Sequence, residues 1–169
     1  MSGTVQVVTV TEEVRPPASF TCRIVFAIVG SFVGYSVAVC LGVAFKNPTT
    51  GAFAGLSGIL ATICLILHWK ASNTVHGRPR RLEHPGRLVV LSVVGATFVI
   101  IGIGTFITFI AVAAYQKQGL HPDHDGYYLT SIWCAMTTKW AALLLFYSRQ
   151  YKRIFFAGYR PENESLINH

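Results

Sequence analysis

Long apolar stretches separated by short polar ones set the pattern of this chain. The four runs are Ile24 to Phe45, Gly51 to Trp69, Leu88 to Tyr115, and Gly126 to Tyr147. A bilayer's hydrocarbon core is roughly 30 Å thick and an α-helix rises about 1.5 Å per residue, so about 20 apolar residues cross it. The third run is longer than that and can tilt or emerge. In hydrocarbon every backbone N–H and C=O must pair internally, which favours helices. Alternating period-two segments of about ten residues, the mark of a barrel, are absent. The expectation is an all-α polytopic membrane protein whose four transmembrane helices form a compact bundle. Its parts would be a flexible tail over residues 1–20, a transmembrane domain over 21–155 and a tail over 156–169. The spans are expected at about 24–45, 51–69, 88–115 and 126–148.

Composition agrees, with 52% hydrophobic residues against 12% charged, and the charges lie almost wholly between the runs. Residues Met1 to Ser19 carry Glu12, Glu13 and Pro16-Pro17 with no basic lead into a short apolar core, so no cleaved signal peptide is expected there. Arginine and lysine are lopsided. The first tail (Arg15, Arg23), the second connection (Lys70, Arg78, Arg80, Arg81, Arg87) and the last tail (Arg149, Lys152, Arg153, Arg160) hold eleven. The other two connections hold Lys46 and Lys117, and Lys139 lies inside the fourth run. The positive-inside rule therefore predicts both termini in the cytosol. The same asymmetry absorbs the net charge of +7 as topology and contact with anionic headgroups, so nucleic acid is not an expected partner.

Several features have ordinary readings. Cys22, Cys40, Cys64 and Cys134 show no CxxC or paired spacing and are expected to be small packing residues. Gly30-x-x-x-Gly34 and Gly51-x-x-x-Gly55 put small residues on one helix face. They permit close approach within the bundle or between subunits of a homo-oligomer. Asn163-Glu164-Ser165 matches a glycosylation acceptor but falls on the predicted cytosolic side. The same tail looks like an acidic dileucine sorting signal, Glu162 to Leu166-Ile167, through which adaptor proteins would bind.

Polar side chains inside the runs carry more information, because a Lys at the bilayer centre costs roughly 3 kcal/mol on insertion scales unless it finds water or a partner. Lys139, directly before Trp140, either snorkels within the bundle or awaits an anionic ligand. His68 is the one histidine inside a run, which disfavours a bis-histidine cytochrome, where opposed pairs hold the iron. The loop His121-Pro122-Asp123-His124-Asp125 has two imidazoles three residues apart, suited to a transition metal or simply to a turn. Trp133, Trp140 and Tyr147 recur every seven residues, with Thr137 and Tyr151 on the same side. That stripe is either packing or a surface for a flat, hydrophobic anion. No nucleophile and base pair, phosphate-binding glycine loop or metalloprotease spacing is present, so an enzyme is not expected.

Tyr127-Tyr128-Leu129, Trp133, Lys139-Trp140-Ala141, Leu143-Leu144 and Tyr147-x-Arg149-x-Tyr151 resemble the fourth span and tail motif of the heme-responsive-gene family of haem transporters. Gly55-Leu56-x-Gly58-Ile59-Leu60-Ala61, followed by His68, resembles that family's second span. The first and third spans match only as hydrophobic segments. The resemblance implies a four-span permease moving haem into the cytosol from the cell exterior or an acidified endolysosomal lumen. It implies that His68 contacts the haem iron and that Tyr147, Arg149 and Tyr151 form the exit-side motif. Lys117 stands where the family often has a loop histidine, with His121 and His124 a turn further on.

Haem offers a large apolar ring, an iron and two propionates. Imidazolium cannot ligate iron, so His121 and His124 would ligate poorly in an acidic lumen, and Tyr127 or Tyr128 would share that role. Lys139 and Arg149 would meet propionates. Haem is thus expected as transported substrate rather than resident cofactor. The rival readings are a non-transporting tetraspan scaffold and a transition-metal permease built on His121 and His124.

Overall fold

The computed structural model describes residues 19–75, 85–117 and 126–157, and all of its regular structure is helical. Helix α1 spans Ser19–Val39, α2 Pro48–Val75, α3 Pro85–Tyr115 and α4 Tyr127–Ala157. Among the described residues four segments are long and apolar enough to cross a membrane: Thr21–Ala44, which runs past α1 through the turn that follows it, Pro48–Asn73, Gly86–Tyr115 and Tyr127–Lys152. The helices outrun the apolar stretches that announce them, because helical hydrogen bonding continues after hydrocarbon ends. Thus α2 carries on past Trp69 to Val75, and α4 past Tyr147 to Ala157.

Local chemistry sets the turn between α1 and α2. The last turn of the first span, Cys40–Ala44, widens into a π-helix in which Phe45 N donates to Cys40 O at 3.3 Å. Lys46 then takes a left-handed φ of 51° to reverse the chain. Asn47 caps α2, its side-chain oxygen accepting from Thr50 N at 3.0 Å. Pro48 follows at the helix start, where a missing N–H leaves no bond unmade.

The helices pack in the spatial order α1, α2, α4, α3, with α2 and α4 inside. In the most apolar 18 residues of each crossing segment, half are buried in α2 and 39% in α4, against 17% in α1 and 11% in α3. Side chains add cross-links beyond this order, Trp140 of α4 reaching α1 and Phe109 of α3 meeting Phe53 of α2 edge-on at 5.9 Å. The buried core gathers Ala27, Leu60, Ala61, Cys64, Leu67, Ala141 and Leu144 around Trp140 and Tyr151. The outward surface is apolar, with Phe32, Val43 and Ile100 each more than 70% exposed. Such a surface suits lipid and not water.

Small residues let α1 and α2 approach. A side chain at Gly34 would meet the Gly58 backbone at 2.7 Å, so only hydrogen fits there. Both glycine pairs found in the sequence face helices of the same chain: Gly34 lies on Gly58, Gly51 on Gly42, and Gly30 seats the Trp140 indole. Buried hydroxyls supply the polar contacts. Thr50 and Thr130 hydroxyls are 2.7 Å apart across α2 and α4, and Thr137 Oγ1 lies 3.0 Å from Phe53 O. Cys64 and Cys134 are buried packing residues, as expected, whereas Cys22 and Cys40 are exposed on α1 and its π turn.

Candidate functional site

Parallel packing of α2 and α4 brings His68 to the level of Tyr147 and Tyr151. His68 Nδ1 lies 2.8 Å from the Tyr151 hydroxyl, and the two residues are only 2% and 1% exposed. Tyr147 meets His68 edge-on at 4.4 Å between ring centroids and stacks on Tyr151 at 6.0 Å. Helical spacing explains the arrangement, since residues four apart on α4 share a face. The expected cluster of His68, Tyr147 and Tyr151 therefore exists, and it faces inward.

Arg149 does not join it. Two residues from each tyrosine is roughly 200° around the helix, which puts Arg149 on the far side of α4, where it is exposed. The cation at the cluster is instead Arg23 of α1. Its guanidinium lies 5.1 Å from the centre of the Tyr147 ring, and it hydrogen-bonds Tyr151. Arg23 also lies near enough to His68 to interact with it electrostatically. The sequence reading missed this residue because Arg23 counts there only as tail charge. No periodicity links it to a tyrosine more than 120 positions away.

A second group sits nearer the middle of the membrane. Lys139 is exposed on the α1 side of α4, its Nζ 4.5 Å from the Phe26 ring and 5.5 Å from Trp140. Trp140 is buried with its indole against Gly30 and tilted 34° to Phe26 at 5.2 Å. Trp133 is half-buried and Thr137 buried, so the stripe read from the sequence faces the bundle. Tyr127 and Tyr128 are half-buried at the opposite end of α4, roughly 30 Å from Tyr147 by helical rise. Tyr127 stacks on Phe109 of α3 at 5.9 Å. His121 and His124 lie outside the described residues, as does the Glu162, Leu166, Ile167 signal.

The chemistry of the His68 cluster is defined by its atoms. A metal ligand must offer a lone pair, so iron at Nε2 requires the ring proton on Nδ1, where it is donated to the Tyr151 oxygen. That contact orients the ring, and which partner donates depends on the tautomer. Close by, Ser148 Oγ and Gln150 Oε1 are buried with no hydrogen-bond partner among the described residues. Among those residues no group of three His, Cys, Asp or Glu side chains converges on a point. The cluster thus offers one imidazole, two phenols and one guanidinium.

No solved structure matches the chain. Residues 88–140 match the model of the family described as haem-transporter, endosomal/lysosomal, haem-responsive gene. The matched region is α3 and the first part of α4 through Lys139 and Trp140, so it includes the third span, which the sequence motifs leave as a plain hydrophobic segment. His68, Tyr147 and Tyr151 lie outside it and rest on the motifs and the geometry. The matched residues make up about a third of the chain, and they agree with the motifs of the second and fourth spans in their similarity to the haem-responsive-gene family of haem transporters.

Proposed function

We propose that this protein carries haem across a membrane into the cytosol, with His68 as the axial contact for iron. The observation that supports this reading is the buried Nδ1 to Tyr151 bond, which joins two motif residues 83 positions apart and orients the imidazole. Haem would be received on the non-cytosolic side by His121, His124, Tyr127 or Tyr128. It would pass Lys139 and Trp140 in mid-membrane and reach His68, Tyr147 and Tyr151 on the exit side. The excess of Lys and Arg around the tails and the second connection supports cytosolic termini. The family description favours an endosomal or lysosomal membrane, with the plasma membrane as the other candidate. Residues 21–155 form the transporting unit on this reading. The last tail offers an adaptor-binding signal, and a homo-oligomer is compatible with it.

Because His68 and Tyr151 are buried, a porphyrin reaches the imidazole only after Tyr147 swings aside. One modest axial bond then holds the ligand without trapping it, as a carrier requires. The test is a haem difference spectrum on the purified protein. Wild type should give a shifted Soret band that His68→Ala abolishes or shifts. A non-transporting scaffold predicts no haem-dependent spectrum in either protein, and that result would remove the proposal.

A further inference from the structure

We infer that Arg23 is the residue that grips a haem carboxylate at the His68 site, the role that the tail motif would give to Arg149. This rests on the haem reading above.

Three features of the geometry carry it. Arg23 enters the cluster from α1, at the antiparallel end that meets the exit side of α4, and its guanidinium lies over Tyr147, which itself packs edge-on against His68. Arg149 is exposed on the opposite side of α4 and cannot share a ligand with His68 in this packing. The second cation of the α1 and α4 seam, Lys139, is eight residues before Tyr147, roughly 12 Å along the helix. A porphyrin whose iron sits at His68 therefore meets Arg23 first. Lys139 instead serves a carboxylate at an earlier station, deeper in the membrane. Guanidinium suits this task, since it stays charged and presents paired N–H donors that match a carboxylate.

A carboxylate drawn to Arg23 also loosens the guanidinium from the Tyr147 face. That releases the ring shielding the imidazole, so carboxylate recognition and access to His68 become one event. The substrate class is accordingly an acid-bearing, planar metalloporphyrin, and esterified porphyrins bind poorly.

The experiment measures binding of three probes to purified full-length protein: haem, metal-free protoporphyrin and haem dimethyl ester. Wild type should prefer haem to its ester by about tenfold, the scale of one hydrogen bond to a charged group. Arg23→Gln should weaken haem and metal-free protoporphyrin alike and narrow the acid-over-ester preference, whereas Arg23→Lys should restore part of it. Arg149→Gln should leave that preference intact. His68→Ala should weaken haem but not the metal-free ring, which separates iron contact from carboxylate contact. The wild-type comparison of acid and ester needs no variant to fold, and equal affinity for the two would overturn the inference. An unchanged preference in Arg23→Gln would do the same while leaving haem transport standing. No binding of any probe by wild type would remove both.

Discussion

Tyr151 shows how one hydroxyl sets the properties of a distant imidazole. Its hydroxyl lies 2.8 Å from His68 Nδ1 and orients the ring, so that on the proposed haem reading Nε2 is the nitrogen that would meet metal. Histidine ligands lose about tenfold or more in metal affinity when the partner of the second nitrogen is removed. Tyr151→Phe keeps the ring stack with Tyr147 and removes only that bond. Haem titrations should therefore show affinity reduced by about tenfold, with the fold retained. Unaltered affinity would mean that the bond plays no part in holding iron. Of these contacts, the motifs in the sequence single out His68, Tyr147, Arg149 and Tyr151, and helical spacing places the two tyrosines on one face and Arg149 on another. They give no notice of Arg23, whose proximity arises only when α1 packs on α2 and its side chain reaches across to α4.

At the scale of elements, the seam between α1 and α4 depends on a large residue filling the space left by a missing one. The Trp140 indole occupies the position that a side chain at Gly30 would need. Gly30→Leu must either expel Trp140 or push α1 away, and overpacking of this kind typically costs about 1–3 kcal/mol. Unfolding in micelles should show destabilisation on that scale, and the contact between Lys139 and the Phe26 ring should be lost with it. A variant as stable as wild type would show that the seam is loose. The spans were legible because charges cluster between apolar runs. Their true ends were not, since Lys70 and Arg149 interrupt hydropathy without interrupting a helix. Nor could the runs reveal their neighbours: α2 and α4 lie inside and α3 at the edge, although α3 comes from the longest apolar run.

Across the whole molecule, candidate ligand groups are distributed from one membrane face to the other. Tyr127 and Tyr128 stand at one end of α4, Lys139 and Trp140 along its length, and His68 with Tyr147, Tyr151 and Arg23 at the other end. Such spacing suits a ligand handed between weak sites more than one held at a single strong site. Most of the buried polar groups sit on α2 and α4, with Ser31 and the Arg23 guanidinium added from α1, while α1 and α3 present apolar surface outward. Haem delivery to the cytosol is the most direct test, read by a cytosolic haem-responsive reporter in haem-starved cells supplied with limiting haem. Cells making the wild-type protein should activate the reporter, and cells making equal amounts of correctly localised His68→Ala should fall to nearly the level without the protein. Equal activation by wild type and His68→Ala, or none by wild type, would contradict a haem path through His68.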